Sequence, residues 1–284
     1  MTNARRVSTI LSAASLLALV CAGSGRAMAA ELHYGANLGT ATGTFGLSQR
    51  TTLAVFEPFV TAEKPNLRLT GYFPIVYRST PFVTRAGSMH FGSSDHRWSG
   101  GMGHGSHHGH HGQGHVPDPS TIRFRRTGLA DPLIRVDLLS VGARWVSGVG
   151  TFLAVKPPIA SSKEGFSTGA WDVGAGVTVV RGFAGLDMAG ELAYWSLGDG
   201  PFIRLHDIVA ADLAVGTPLV WGPLTIAATV HATSTAVPGR GAPVELGVAA
   251  SRGFPGTEPV LAVRFGVTRA APRFSVFLTW TGWR

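Results

Sequence analysis

Between Trp171 and Trp195 apolar and polar positions alternate with a period of two. Val173, Ala175, Val177 and Val179 take one parity, and Asp172, Gly174, Gly176 and Thr178 the other. After a turn read at Arg181-Gly182 the alternation resumes, with Leu186, Met188, Leu192 and Tyr194 opposed to Asp187, Ala189, Glu191 and Ala193. Successive side chains of a strand point to opposite faces, so this stretch predicts a hairpin with one bulky apolar face and one small or acidic face. Such a hairpin needs two different surroundings. In a sandwich the apolar face meets a second sheet; in a transmembrane barrel it meets lipid, and the other face lines the lumen.

The same pattern predicts ten further strands, at 32–40, 51–61, 66–77, 132–139, 148–156, 206–216, 224–232, 244–251, 260–268 and 274–283. Only the second has an ambiguous parity, since both Leu53/Val55/Phe59 and Ala54/Phe56/Val60 fit an outward face. The polar faces collect Arg68, Arg135, Asp137, Lys156, Asp172, Asp187, Glu191, Asp212, Glu245 and Arg264. A sandwich core does not tolerate that many inward charges, so these ten read as lumen-lining. Connections after even strands are short or moderate, whereas those after odd strands include 157–168, 196–205, 233–243 and a long irregular insert at 79–127. Barrels of the outer-membrane type have short turns at one end and long loops at the other. The predicted fold is therefore all-β, an antiparallel transmembrane barrel of about twelve strands, with Tyr77, Trp145, Trp195, Trp221 and Trp280 read as interfacial girdles.

Export agrees with that fold. Arg5 and Arg6 precede an apolar stretch at 10–20, and Ala27-Met28-Ala29 offers a small-x-small cleavage site, so 1–29 reads as a signal peptide and 30–284 as one barrel domain. The apolar stretch is too short for a membrane-spanning helix, which needs about 20 residues. Cleavage also removes Cys21, the one cysteine, and with it any disulfide or thiolate site. The chain carries 24 Lys and Arg against 16 Asp and Glu, a formal charge of +8. These charges are scattered, with no basic run interleaved with aromatics, so nucleic acid is excluded as a partner. Outer-membrane lipid and a small-molecule solute are the partners this pattern implies.

From Thr127 onward the sequence resembles the outer-membrane transporter proteins associated with meta-pathway phenol degradation. Three segments carry the resemblance: Gly128-Leu129-Ala130-Asp131-Pro132, Val155-Lys156-Pro157-Pro158, and Ser167-Thr168-Gly169 followed by Asp172. Ala130 stands where that family has glycine, and the Thr-Gly expected after the Lys-x-Pro element is absent. The resemblance implies a barrel that passes hydrophobic or aromatic small molecules, with no catalytic site to carry over.

Within the insert, His104, His107, His108, His110, His111 and His115 are spaced by glycines. Neutral imidazoles bind Zn, Cu and Ni, and a glycine-rich chain lets several converge on one ion; the alternative is a low-complexity spacer. Six imidazoles exceed the needs of one tetrahedral site. Single His→Ala changes should therefore weaken zinc or copper binding only slightly in titration calorimetry, while deleting 103–115 should abolish it and leave the barrel folded. The barrel itself requires no cofactor. Its lumen charges read either as structural pairs filling a narrow barrel or as a polarised path for solutes. No Gly-x-Ser-x-Gly or His-Glu-x-x-His element is present, so an enzyme is not expected. The sequence thus points to a transport barrel for small hydrophobic or aromatic solutes. The alternatives are an outer-membrane protein of copper, zinc or nickel uptake or efflux, and a membrane-bound enzyme without a recognisable motif.

Overall fold

The computed structural model describes residues 30–80, 83–86, 89–92, 126–141, 148–162, 164–200, 204–218, 224–252 and 257–283. Strands are Glu31–Gly43 (β1), Thr51–Lys64 (β2), Leu67–Tyr72 (β3), Ile75–Arg78 (β4), Val83–Ala86 (β5), Met89–Gly92 (β6), Thr127–Leu129 (β7) and Leu133–Val141 (β8). They continue as Gly148–Lys156 (β9), Asp172–Phe183 (β10), Leu186–Leu197 (β11), Ile208–Pro218 (β12), Leu224–Thr233 (β13), Val244–Arg252 (β14), Thr257–Gly266 (β15) and Phe274–Trp283 (β16). From β8 to β16 each strand pairs antiparallel with the next, β16 pairs with β1, and β1 pairs with β2. The sheet therefore closes on itself through β1 and β2, with the short β7 paired on one side only, to β4. Along one side of β2, β3 and β4 follow each other as two halves of a single stave, and β7 and β8 do the same beyond them. Among the described residues the barrel thus has twelve staves. The short hairpin β5–β6 is separate from it and lies within the insert.

Proline causes the two interruptions. Pro58, Pro74 and Pro132 lie near the breaks on three adjoining staves, and a proline has no N–H to give to a ladder. The gap is spanned by single bonds, from the Phe73 N–H to the Pro58 carbonyl at 3.0 Å and from the Ala130 N–H to the Pro74 carbonyl at 2.9 Å. Between β7 and β8 the inward parity shifts by one, so that the consecutive residues Ala130 and Asp131 are both buried. This shift turns Asp131 into the barrel.

The outer surface is the apolar face of the alternation. Val173, Val177, Leu192, Tyr194, Leu246, Val248, Leu261 and Leu278 are all exposed, as lipid contact requires. In β2 the structure resolves the parity: Leu53 and Phe59 are buried, while Phe56 and Val60 face outward. Tyr34 and Trp280 meet edge to face at 5.7 Å on the outside. Trp195 is a correction, because it is buried inside the barrel and belongs to no girdle. The hairpin turn is another. Phe183 pairs with Leu186 across Ala184 and Gly185, whose φ angles of 51° and 81° make a two-residue hairpin of the primed type. Arg181 and Gly182 instead extend β10, opposite Met188 and Asp187.

The strand ends that flank 65–66, 142–147, 184–185, 219–223 and 253–256 share one end of the barrel. The strand ends that flank 44–50, 79–126, 157–171, 198–207, 234–243 and 267–273 share the other. Described parts of the long connections fold inward there. Phe45, Leu47 and Phe166 pack with Leu53, Val76 and Ala130, and Leu205, Ala236 and Val237 pack with Trp195, Ile208 and Ala210. Residues 1–29, Trp145, Trp221 and the histidine segment 104–115 lie outside the described residues.

Candidate functional site

Glycines on the lumen side of β10 make room for large neighbours, which fill one half of the barrel. A Cβ on Gly174 would stand 2.6 Å from the Trp195 indole, and one on Gly176 would stand 2.5 Å from the Phe152 ring. Above Phe152, at 3.8 Å from its centroid, lies the Arg135 guanidinium. It donates to Asp137 Oδ1 at 2.9 Å and to Glu191 Oε2 at 2.8 Å, so one cation serves two carboxylates. Here ions and aromatics fill the interior.

Near the long-loop end a second cluster is sealed from water. Lys156, the last residue of β9, and Asp172, the first of β10, are paired in register, and both side chains are fully buried. The Lys156 ammonium lies 2.7 Å from Asp131 Oδ2 and 3.2 Å from Asp172 Oδ2. Asp131 also accepts the Ser167 hydroxyl at 2.6 Å and the Ala160 N–H at 2.8 Å, while Asp172 accepts the Gly198 N–H at 3.0 Å. The three segments that carry the family resemblance thus converge on one ammonium. Beside them the buried Arg78 donates to the Gly165 and Glu164 carbonyls and lies 4.8 Å from the Phe166 ring. Together these contacts pin connection 157–171 into the mouth. At the rim, the Tyr194 hydroxyl and the Leu197 N–H hold the exposed Asp207 carboxyl below the usual carboxylate range.

The other half of the interior is open. A cavity of about 500 Å³ lies between β1, β2 and β12–β16. Its lining mixes the apolar Leu53, Val55, Ala249, Ala262 and Phe277 with the polar Glu57, Asp212, His231, Glu245 and Arg264. Asp212 Oδ1 lies 2.8 Å from His231 Nδ1. Glu245 accepts the Ser275 hydroxyl at 2.9 Å, and Glu57 accepts the Asn37 amide at 3.1 Å. The Arg264 guanidinium sits 5.4 Å from the Phe277 ring, and its buried Nε has no hydrogen-bond partner among the described residues.

The ten charged positions picked out by alternation therefore fall into distinct places. Arg135, Asp137 and Glu191 join, Lys156 and Asp172 join, and Asp212, Glu245 and Arg264 line the cavity. Arg68 makes a two-point pair with Glu63 at 3.0 Å. Asp187, one residue inside β11, is exposed and makes no ion pair among the described residues. Asp131, Ser167, Arg78, Glu57 and Phe152 are functional candidates that alternation alone does not single out. Asp131 and Ser167 had a signal, in the motif segments. Among the described residues no group of three His, Cys, Asp or Glu side chains is arranged to hold a metal ion.

No protein-family model matches the sequence, and no curated protein matches it. Solved structures do. A crystallised outer membrane channel from Pseudomonas putida F1 is similar over 92% of this chain and 98% of its own, with a TM-score of 0.58 and 13% identity. The β domain of a Bordetella autotransporter gives a TM-score of 0.48 at 11% identity, covering 90% of this chain and all of its own. The CymD monoaromatic hydrocarbon channel gives 0.42 at 10% identity, covering 90% and 89%. The fold of this chain is that of an outer-membrane β-barrel, similar to the Pseudomonas putida channel over nearly its whole length.

Proposed function

We propose that the protein is an outer-membrane channel for small, mainly apolar solutes, single-ring aromatic compounds among them. The observation that carries this reading is the cavity of about 500 Å³ inside a closed barrel, lined by Leu53, Val55, Ala262 and Phe277 together with a few polar groups. Sites of ~300–1,000 Å³ with largely apolar walls and a few polar groups suit molecules of that size. The Pseudomonas putida protein of the same fold is an outer membrane channel, and channel activity is what we carry over from it. The histidine segment's affinity for Zn, Cu or Ni rests on its composition and is a separate property.

Liposome entry of a radiolabelled one-ring aromatic solute tests the proposal. Folded protein should accelerate it over empty vesicles and over a disaccharide control. Filling the cavity with Ala249→Phe or Ala262→Trp should slow entry several-fold while leaving the heat-modifiable gel shift of the folded barrel unchanged. Equal rates with and without protein would overturn the reading.

A further inference from the structure

The charges inside the barrel do not follow the charge of the chain. As a whole the sequence is basic, at +8. Inside, the ion pairs named above are balanced or carry an excess of carboxylate, while the buried Arg78 guanidinium donates to backbone carbonyls. Arg68 balances Glu63. Arg135 is shared by Asp137 and Glu191, and Lys156 by Asp131 and Asp172. Where the barrel is open the excess lies on the cavity wall itself, with Asp212 and Glu245 against Arg264. The Glu245 carboxylate takes its hydrogen bond from Ser275, a neutral group.

Resting on the channel reading above, we infer that this lumen is cation-selective, with Asp212 and Glu245 setting the preference and Arg264 opposing it, so that cationic or neutral solutes pass more readily than anions. Two physical reasons support it. A narrow, low-dielectric wall focuses the field of its own charges along the path, so the sign of a few lumen residues outweighs that of a distant surface. Surface charges, by contrast, are screened within about 8 Å at physiological salt. A unit charge beside a water-filled path changes the cation-to-anion ratio by about fivefold.

The test is the reversal potential of the full barrel in a planar bilayer across a gradient of moderate KCl. The expected sign is that of potassium. Asp212→Asn with Glu245→Gln should move the potential toward chloride by about twenty-fold or more in permeability ratio, two unit charges having gone. Arg264→Gln should move it the other way. Opposite shifts cannot come from general unfolding, and the gel shift of each variant checks its fold. Current without preference, a chloride-type potential, or a potential unmoved by Asp212→Asn with Glu245→Gln would overturn the inference and leave the channel standing. Folded protein that carries no current would overturn both.

Discussion

Replacing Lys156 with methionine should destabilise the barrel by about 3–5 kcal/mol, because it leaves two buried carboxylates facing each other without a cation. The fully buried ammonium lies 2.7 Å from Asp131 and 3.2 Å from Asp172, at a site where water cannot replace it. Its loss also frees the anchor of connection 157–171, since Asp131 holds Ala160 and Ser167. Urea unfolding of refolded protein in detergent or lipid measures the cost. The companion experiment separates charge from packing. Adding Asp131→Asn and Asp172→Asn to Lys156→Met removes every charge from the cluster, and most of the lost stability should return, as it does where a buried ion set is replaced by neutral groups. A loss below about 1 kcal/mol for Lys156→Met would place the cluster in the class of exposed pairs.

That cluster also marks the limit of what the sequence makes legible. Alternation exposes the architecture because a barrel wall separates two solvents, and each side chain must declare which it faces. Twelve strands follow from it, with β9 read to the residue and β16 likewise. Alternation gives no partner, however. Lys156 at the end of β9 meets Asp131 in the break before β8, and the parity shift at Ala130-Asp131 that turns the carboxylate inward depends on a break no period-two reading contains. The motif resemblance supplied Asp131, Lys156, Ser167 and Asp172 as separate segments; only folding shows that they share one ammonium. Trp195 fails for another reason. Its place near a strand end suggests a girdle, yet its parity matches the inward Ala193, and Gly174 across the ladder leaves space for the indole. Parity was the stronger signal. At the hairpin, glycine at 182 drew the turn three residues early, whereas Ala184 and Gly185 take the positive φ values.

Arginine on the outward face of β14 or β15 should cost about 2–4 kcal/mol near the bilayer midplane. Val248 and Leu261 are the positions to use, since both are exposed on the outside near the middle of their strands, 55% and 47% accessible. The matched controls are their chain neighbours Ala249 and Ala262, which pair with each other and line the open cavity. Backbone position and strand propensity are then nearly the same in all four variants, so the difference isolates the solvent each side chain meets. At the cavity wall the guanidinium finds water and the excess carboxylate, and the cost should stay within about 1 kcal/mol. Positions in the filled half are unsuitable controls, because a side chain at Gly176 would strike Phe152 and one larger than alanine at the buried Ala193 would overpack its surroundings. Folding into lipid vesicles, followed by denaturant titration, reads all four. Equal losses at Val248 and Ala249 would mean that lipid and lumen are not on opposite sides of this wall, and the barrel orientation would have to be reversed or abandoned.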